Sequence, residues 1–185
     1  LYRPQPLQIT TRPVTDPEAE WQHLQAAITA ARQEVKVLET QAKNRVGQAE
    51  AYIFQAHELF LTDPVLLDTV NRSIFNDKLN PEMAWQQAIQ ATADNLKSLD
   101  DEYLSARAAD VLDVGDRVIR HLLGEELPTL EFEYPVILVA DDLTPSDTVR
   151  MNPAQMLGIC TREGGATSHS AILAHALNIP AVVGL

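Results

Sequence analysis

Gly164-Gly165-Ala166-Thr167-Ser168-His169-Ser170-Ala171-Ile172 reads as a glycine turn passing into a helix. The paired glycines suit a backbone that must take positive φ. Thr167 and Ser168 favour a helix start, which predicts a helix over Ser168 to Leu177 with His169 in its first turn. Asn178 ends that helix, and Pro180 lies beyond it. Outward from there, Leu157-Gly158-Ile159-Cys160 and Ala181-Val182-Val183 are short runs of strand type. Val136-Ile137-Leu138-Val139-Ala140 is a continuous apolar run, which predicts a strand covered on both faces. Asn152-Pro153 opens a short helix through Met156. Residues 128–185 therefore read as an α/β block.

Composition changes near residue 127, because the stretch 17–124 is rich in Ala, Gln, Leu and Glu and poor in glycine. Asp16-Pro17-Glu18 supplies a cap, a first-turn proline and a first-turn acid. Trp21, Leu24, Ile28, Ala31, Val35, Leu38, Ala42 and Val46 then follow at steps of three and four, one apolar stripe on a long helix. A second helix is predicted over Gln48 to Leu61, and Asp63-Pro64 starts a third with Leu66, Leu67 and Val70. Asn80-Pro81-Glu82 starts a fourth, with Trp85, Ile89, Leu96 and Leu99. A fifth, from about Asp101 to Leu123, carries Leu104, Ala108, Val111, Val118 and Leu122 and stops at Gly124. Together they predict an antiparallel bundle. Leu1 to Val14, with Pro4, Pro6 and Pro13, reads as extended or edge structure. A chain that stops at Gly184-Leu185 inside an apolar strand reads as an excised fragment.

The chain has 185 residues, 45% hydrophobic and 22% charged, which places it among ordinary globular chains rather than disordered or fibrous ones. Acidic residues outnumber basic ones 26 to 14, for a net charge of −12. Such a surface repels phosphate backbones, so nucleic-acid binding is disfavoured and a basic protein partner is favoured. No apolar run approaches spanning length, so no membrane role is expected. The single cysteine, Cys160, excludes an internal disulfide framework and suits a reducing cytoplasm. No metal is expected either, since Cys160 and His169 lack a second pair at zinc spacing.

A histidine in a first helical turn sits among unpaired amides at the positive end of the dipole. The dipole disfavours the protonated ring and keeps a neutral, nucleophilic nitrogen. Once that nitrogen holds a phosphoryl group, the same dipole and hydroxyls stabilise the new negative charge. This is the physical case for His169 as a phosphorylatable residue. The bland alternative is a histidine that merely opens a helix.

The full string Gly164 to Gly184, GGATSHSAILAHALNIPAVVG, resembles the phosphohistidine signature of the phosphoenolpyruvate (PEP)-utilising enzymes. Leu99 to Val114 (LDDEYLSARAADVLDV), Val136 to Thr148 (VILVADDLTPSDT) and Ile53 to Pro64 (IFQAHELFLTDP) are similar to the N-terminal half of Enzyme I-type proteins of the sugar phosphotransferase system. The resemblance covers nearly the whole chain. It implies an α/β phosphohistidine (swivelling) subdomain, 1–16 and 125–185, with an inserted all-α helical bundle subdomain, 17–124. It implies that His169 is phosphorylated, with PEP as first donor, and passes the group to a histidine of the small carrier HPr. Gly164, Gly165, Thr167 and Ser168 would form the phosphoryl-binding loop, and Thr148 would hydrogen-bond and orient the imidazole. For Thr148, a local turn or cap role is the alternative, as it is for Ser146 and Asp147.

The resemblance further assigns HPr docking to His57, Leu59, Phe60, Asp63, Leu66 and Arg107. Leu59, Phe60 and Leu66 at helical spacing equally suit a bundle core, and His57 an ordinary surface position. No cofactor is expected in this stretch; magnesium and PEP would bind a C-terminal domain beyond it. A cytoplasmic location follows, with a monomeric fragment of a homodimeric whole. Ala166 and His175 stand where the family pattern usually has arginine, which hints at a divergent paralogue or a multidomain phosphoryl-transfer protein. Two other readings are a dikinase or PEP-synthase phosphohistidine domain, disfavoured by Ser168 in place of cysteine, and a non-catalytic helical interaction module.

Overall fold

Among the described residues, five helices come first and a small parallel sheet follows. The computed structural model describes residues 2, 6–126, 130, 132–165 and 168–185, with backbone alone at 102, 103, 106, 169 and 170. The helices are α1 (Pro17–Arg45), α2 (Gln48–Leu61), α3 (Pro64–Phe75), α4 (Pro81–Ser98) and α5 (Glu102–Leu123). After them come β1 (Val136–Ala140), α6 (Pro145–Arg150), a 3-10 turn (Pro153–Gln155), β2 (Met156–Thr161), α7 (His169–Ala176) and β3 (Ala181–Val182). The chain divides into two compact units: Leu1–Gln5, Val37–Gln55 and Pro128–Leu185 form one, and Pro6–Lys36 with Ala56–Leu127 form the other.

The helical starts obey local chemistry. Asp63 accepts from the amides of Val65 and Leu66, Asp101 from Leu104, and Asp16 from Ala19. Asn80 breaks the pattern: its side chain makes no cap bond. It instead accepts from the Arg12 amide and donates to the Thr10 carbonyl and the Glu82 carboxylate. Arg12 pairs with Glu20, whose carboxyl the guanidinium holds below its ordinary value. These bonds tie residues 6–16, expected with the α/β block, to the helical unit.

In the helical unit α4 packs on both α3 and α5. Trp85 is fully buried and its indole N–H donates to the Gly115 carbonyl at 3.1 Å. Gly115 lies inside α5, where glycine costs about 1 kcal/mol relative to alanine. A Cβ there would meet Ile89 Cγ2 at 2.4 Å, so the close approach of the two helices requires glycine. Leu99 and Leu104, expected in the core, are exposed because they flank the α4–α5 connection.

In the α/β unit β1, β2 and β3 pair in parallel in that order, and Tyr2 adds a parallel bridge to Ala140 on the outer edge of β1. Leu138, Ala140, Met156, Ile159, Ala174, Leu177 and Ile179 form the core, with Val46 packed against it. Val46 and the bond from Gln55 to Glu39 belong to residues 37–55, expected with the bundle but grouped with this unit. The strand expected to be covered on both faces is covered on one. Ile137 and Val139 are 61% and 42% exposed, and Val182 on the same face is 53% exposed. The 3-10 turn replaces the short helix expected after Asn152, whose side chain caps it.

Gly115→Ala is expected to lower stability by about 1–3 kcal/mol in urea unfolding, despite alanine's better helix propensity. A stabilised variant would contradict the close α4–α5 approach.

Candidate functional site

Parallel strands send all their C-terminal ends to one edge, where ligands bind in open α/β sheets. Here that edge gathers residues 141–144 after β1, 162–165 and 168 after β2 and 183–185 after β3. Backbone bonds stitch these segments together: Arg162 N–H to the Ala140 carbonyl at 3.2 Å, Glu163 N–H to Asp141 at 2.8 Å, and Leu185 N–H to Thr161 at 3.3 Å. Gly164 takes φ +87°, the left-handed region expected of the turn. A Cβ on Gly184 would meet the Gly164 carbonyl at 3.3 Å, so both glycines keep the segments close. A Cβ on Gly165 would meet none of the described residues within 4 Å.

Ser168 caps α7, accepting from the Ala171 amide at 3.3 Å, and His169 is the first residue of that helix. Thr167 and the His169 side chain lie outside the described residues, as does Ala166. Thr148 is fully buried on α6, which packs against α7. Its hydroxyl donates to the Thr144 carbonyl at 3.1 Å, which leaves the oxygen as the partner able to accept an imidazole N–H.

Asp142 is a residue the sequence reading passed over. A Cβ on Gly164 would lie 3.8 Å from its carboxylate and 3.6 Å from the Ser168 hydroxyl. Burial raises the Asp142 carboxyl above its ordinary value, and Glu163 adds to this, against the Leu143 amide that lowers it. Arg162 supplies positive charge on this edge, within 3.3 Å of Asp141 and 3.2 Å of Glu163. Among the described residues, no three His, Cys, Asp or Glu side chains converge to hold a metal ion.

The expected docking residues belong to the helical unit and divide by depth. Leu59 is 71% exposed, while Phe60 and Asp63 are half-buried and Asp63 also caps α3. His57 is fully buried, which excludes the ordinary surface position offered for it, and Leu66 is nearly so, as its bundle-core alternative expects. His57 Nε2 lies 3.9 Å from the buried Asp110, which pairs with Arg107 at 3.1 Å. Val65, exposed to the same degree as Leu59, was not singled out in the sequence. No helix among the described residues is long and apolar enough to cross a membrane.

Because the Asp142 carboxyl is raised in the folded state, folding loses stability as pH rises through its folded pKa. Asp142→Asn is expected to melt about 1–2 °C above the parent at pH 7, an advantage that vanishes below about pH 4. Equal melting at pH 7 would show that the carboxylate is fully solvated.

Comparison with known proteins bears on the family and the fold. The family model described as PEP-utilising enzyme, N-terminal, matches residues 1–107, and the model described as PEP-utilising enzyme, mobile domain, matches residues 132–185. A phosphoenolpyruvate-protein phosphotransferase of Bacillus subtilis is 42% identical over 96% of the chain, and one of Listeria monocytogenes 43% over 92%. The chain spans 31% and 30% of their lengths. A solution NMR structure of an Enzyme I protein is 36% identical, with a TM-score of 0.79, covering 98% of this chain and 74% of its own. A structure of the N-terminal domain of a nitrogen-type Enzyme 1 is 28% identical, with a TM-score of 0.68, covering 96% and 72%. An α/β unit with an inserted helical unit, the match to both family models and the likeness to Enzyme I N-terminal structures lead to one conclusion: the chain belongs to the PEP-utilising enzyme family.

Proposed function

We propose that this chain holds a phosphoryl group on a ring nitrogen of His169 and exchanges it with a histidine of the phosphocarrier HPr in the sugar phosphotransferase system. The observation that carries this reading is the position of His169. It opens α7 behind a Ser168 cap and a left-handed Gly164, at the C-terminal edge of a parallel sheet. The names of the relatives, phosphoenolpyruvate-protein phosphotransferases, support the same chemistry.

In the transfer, the neutral ring nitrogen of His169 attacks phosphorus on phospho-HPr. A new N–P bond forms as the donor's N–P bond breaks, and that electron pair returns to the donor imidazole. First-turn amides of α7 face the transferred oxygens. Thr148, by accepting the other ring N–H, fixes which nitrogen attacks. Gly164, Gly165, Thr167 and Ser168 make up the phosphoryl-binding loop. In this reading PEP and magnesium bind elsewhere in the longer protein, which is cytoplasmic and dimeric. In this reading the phosphoryl group belongs to the α/β unit, 1–5, 37–55 and 128–185, and HPr binding to the helical unit, 6–36 and 56–127.

HPr docks on Leu59, Phe60, Asp63 and Arg107 of the helical unit, with the buried His57 and Leu66 supporting from within. A basic partner suits the net charge of −12.

Incubation with 32P-labelled phospho-HPr, followed by mapping, is expected to place acid-labile label on His169. His169→Ala is expected to take none while still binding HPr. Label on the variant, or none on the parent, would overturn the reading. Asp63→Asn keeps an acceptor for the α3 cap and removes only the charge. It is expected to weaken HPr binding about threefold at low salt and little at high salt. An equal loss at both would exclude a charge contact.

A further inference from the structure

We propose that Arg45 is a positioning residue for the chemistry at His169, holding α6 so that Thr148 meets the imidazole at the right place. The proposal rests on the phosphohistidine reading above and extends it to a residue outside the signature.

A six-residue helix is too short to hold its own geometry. The start of α6 is closed by a capping box between Thr144 and Asp147, and Tyr2 donates its hydroxyl to Asp147 at 3.1 Å. The last carbonyls of any helix lack partners within it. The Met151 amide serves those of Asp147 and Thr148. The carbonyls of Val149 and Met151 instead accept from one nitrogen, Nη1 of Arg45, at 2.9 and 3.0 Å. Val149 and Met151 are themselves buried, at 1% and 0% exposure. Arg45 comes from the last turn of α1, more than 100 residues away in sequence. A cation there also meets the negative end of the α6 dipole. Thr148 lies one residue before the first clamped carbonyl, and its hydroxyl bonds the first turn of α6. A shift of α6 along its axis therefore moves the Thr148 oxygen with it. Arg45 is solvent-exposed as a residue, so its removal tests positioning rather than the core.

The test compares the parent with Arg45→Ala, Arg45→Lys and, as a neighbouring-charge control, Lys43→Ala, all in the full chain. Two quantities are measured: transfer kinetics from phospho-HPr, and the 15N spectrum of the His169 imidazole, which reports its tautomer. Arg45→Ala is expected to slow transfer at saturation about tenfold, with half-saturation unchanged. Its tautomer ratio is expected to shift, Arg45→Lys to recover part of both effects, and Lys43→Ala to match the parent. An Arg45→Ala protein with the parent's tautomer ratio would overturn the proposal, even if its melting temperature fell. If the parent takes no label on His169, the phosphohistidine reading fails instead, and the tautomer ratio still decides whether Arg45 positions the ring.

Discussion

Parallel pairing is the constraint on which the α/β unit depends. Two parallel strands cannot be joined by a tight turn, so each connection must cross back over the sheet. Here the crossings carry α6 between β1 and β2, and α7 between β2 and β3. Both consequences matter for chemistry. All strand ends of one kind fall on one edge, which gathers three loops otherwise far apart in sequence. The crossing helices also pack on one another, so α6, which carries Thr148, and α7, which begins at His169, are neighbouring elements. Neither helix reaches a length that is stable alone. Their geometry is imposed by caps and by side chains from elsewhere, Tyr2 and Arg45 at α6 and Ser168 at α7.

Much of this was legible in the sequence, for identifiable reasons. The long helices announce themselves through Asp-Pro and Asn-Pro starts and stripes at steps of three and four, and α1 to α5 occupy the predicted stretches. His169 at a helix start follows from Gly164 and Ser168, since glycine supplies the left-handed turn and serine the cap. The helix α6 was not legible. Pro145 to Arg150 is too short to show a period, and its capping box ends in Asp147 rather than the more familiar glutamate. The one-sided burial of β1 was misread for a related reason. An unbroken apolar run cannot say which face is covered, and Ile137 and Val139 are as apolar as the buried Leu138. Arg45 left no signal at all, because a guanidinium that reaches distant carbonyls looks like any basic residue ending a helix.

The depth of the docking candidates follows from periodicity. Residues three or four apart share a helix face, so a run of adjacent positions cannot all point to solvent. On α2, Phe54, His57 and Leu61 follow at steps of three and four, and all are buried. Leu59 falls between them and is exposed. The stripe was visible in the sequence, and it places an imidazole where an aliphatic side chain would be ordinary. Burying that ring beside Asp110 is tolerable because Arg107 pairs with the same carboxylate, and a buried charge without a partner costs several kcal/mol, about 3–5 when one member of a pair is removed. An ion pair therefore lies against the buried side of α2, opposite in depth to the exposed Leu59. The cap on α3 fixes Asp63, which spends its carboxylate on two amides of its own helix, yet stays half-exposed. Its geometry is thus set by local structure before any partner arrives, which lowers the entropy lost when a partner binds there.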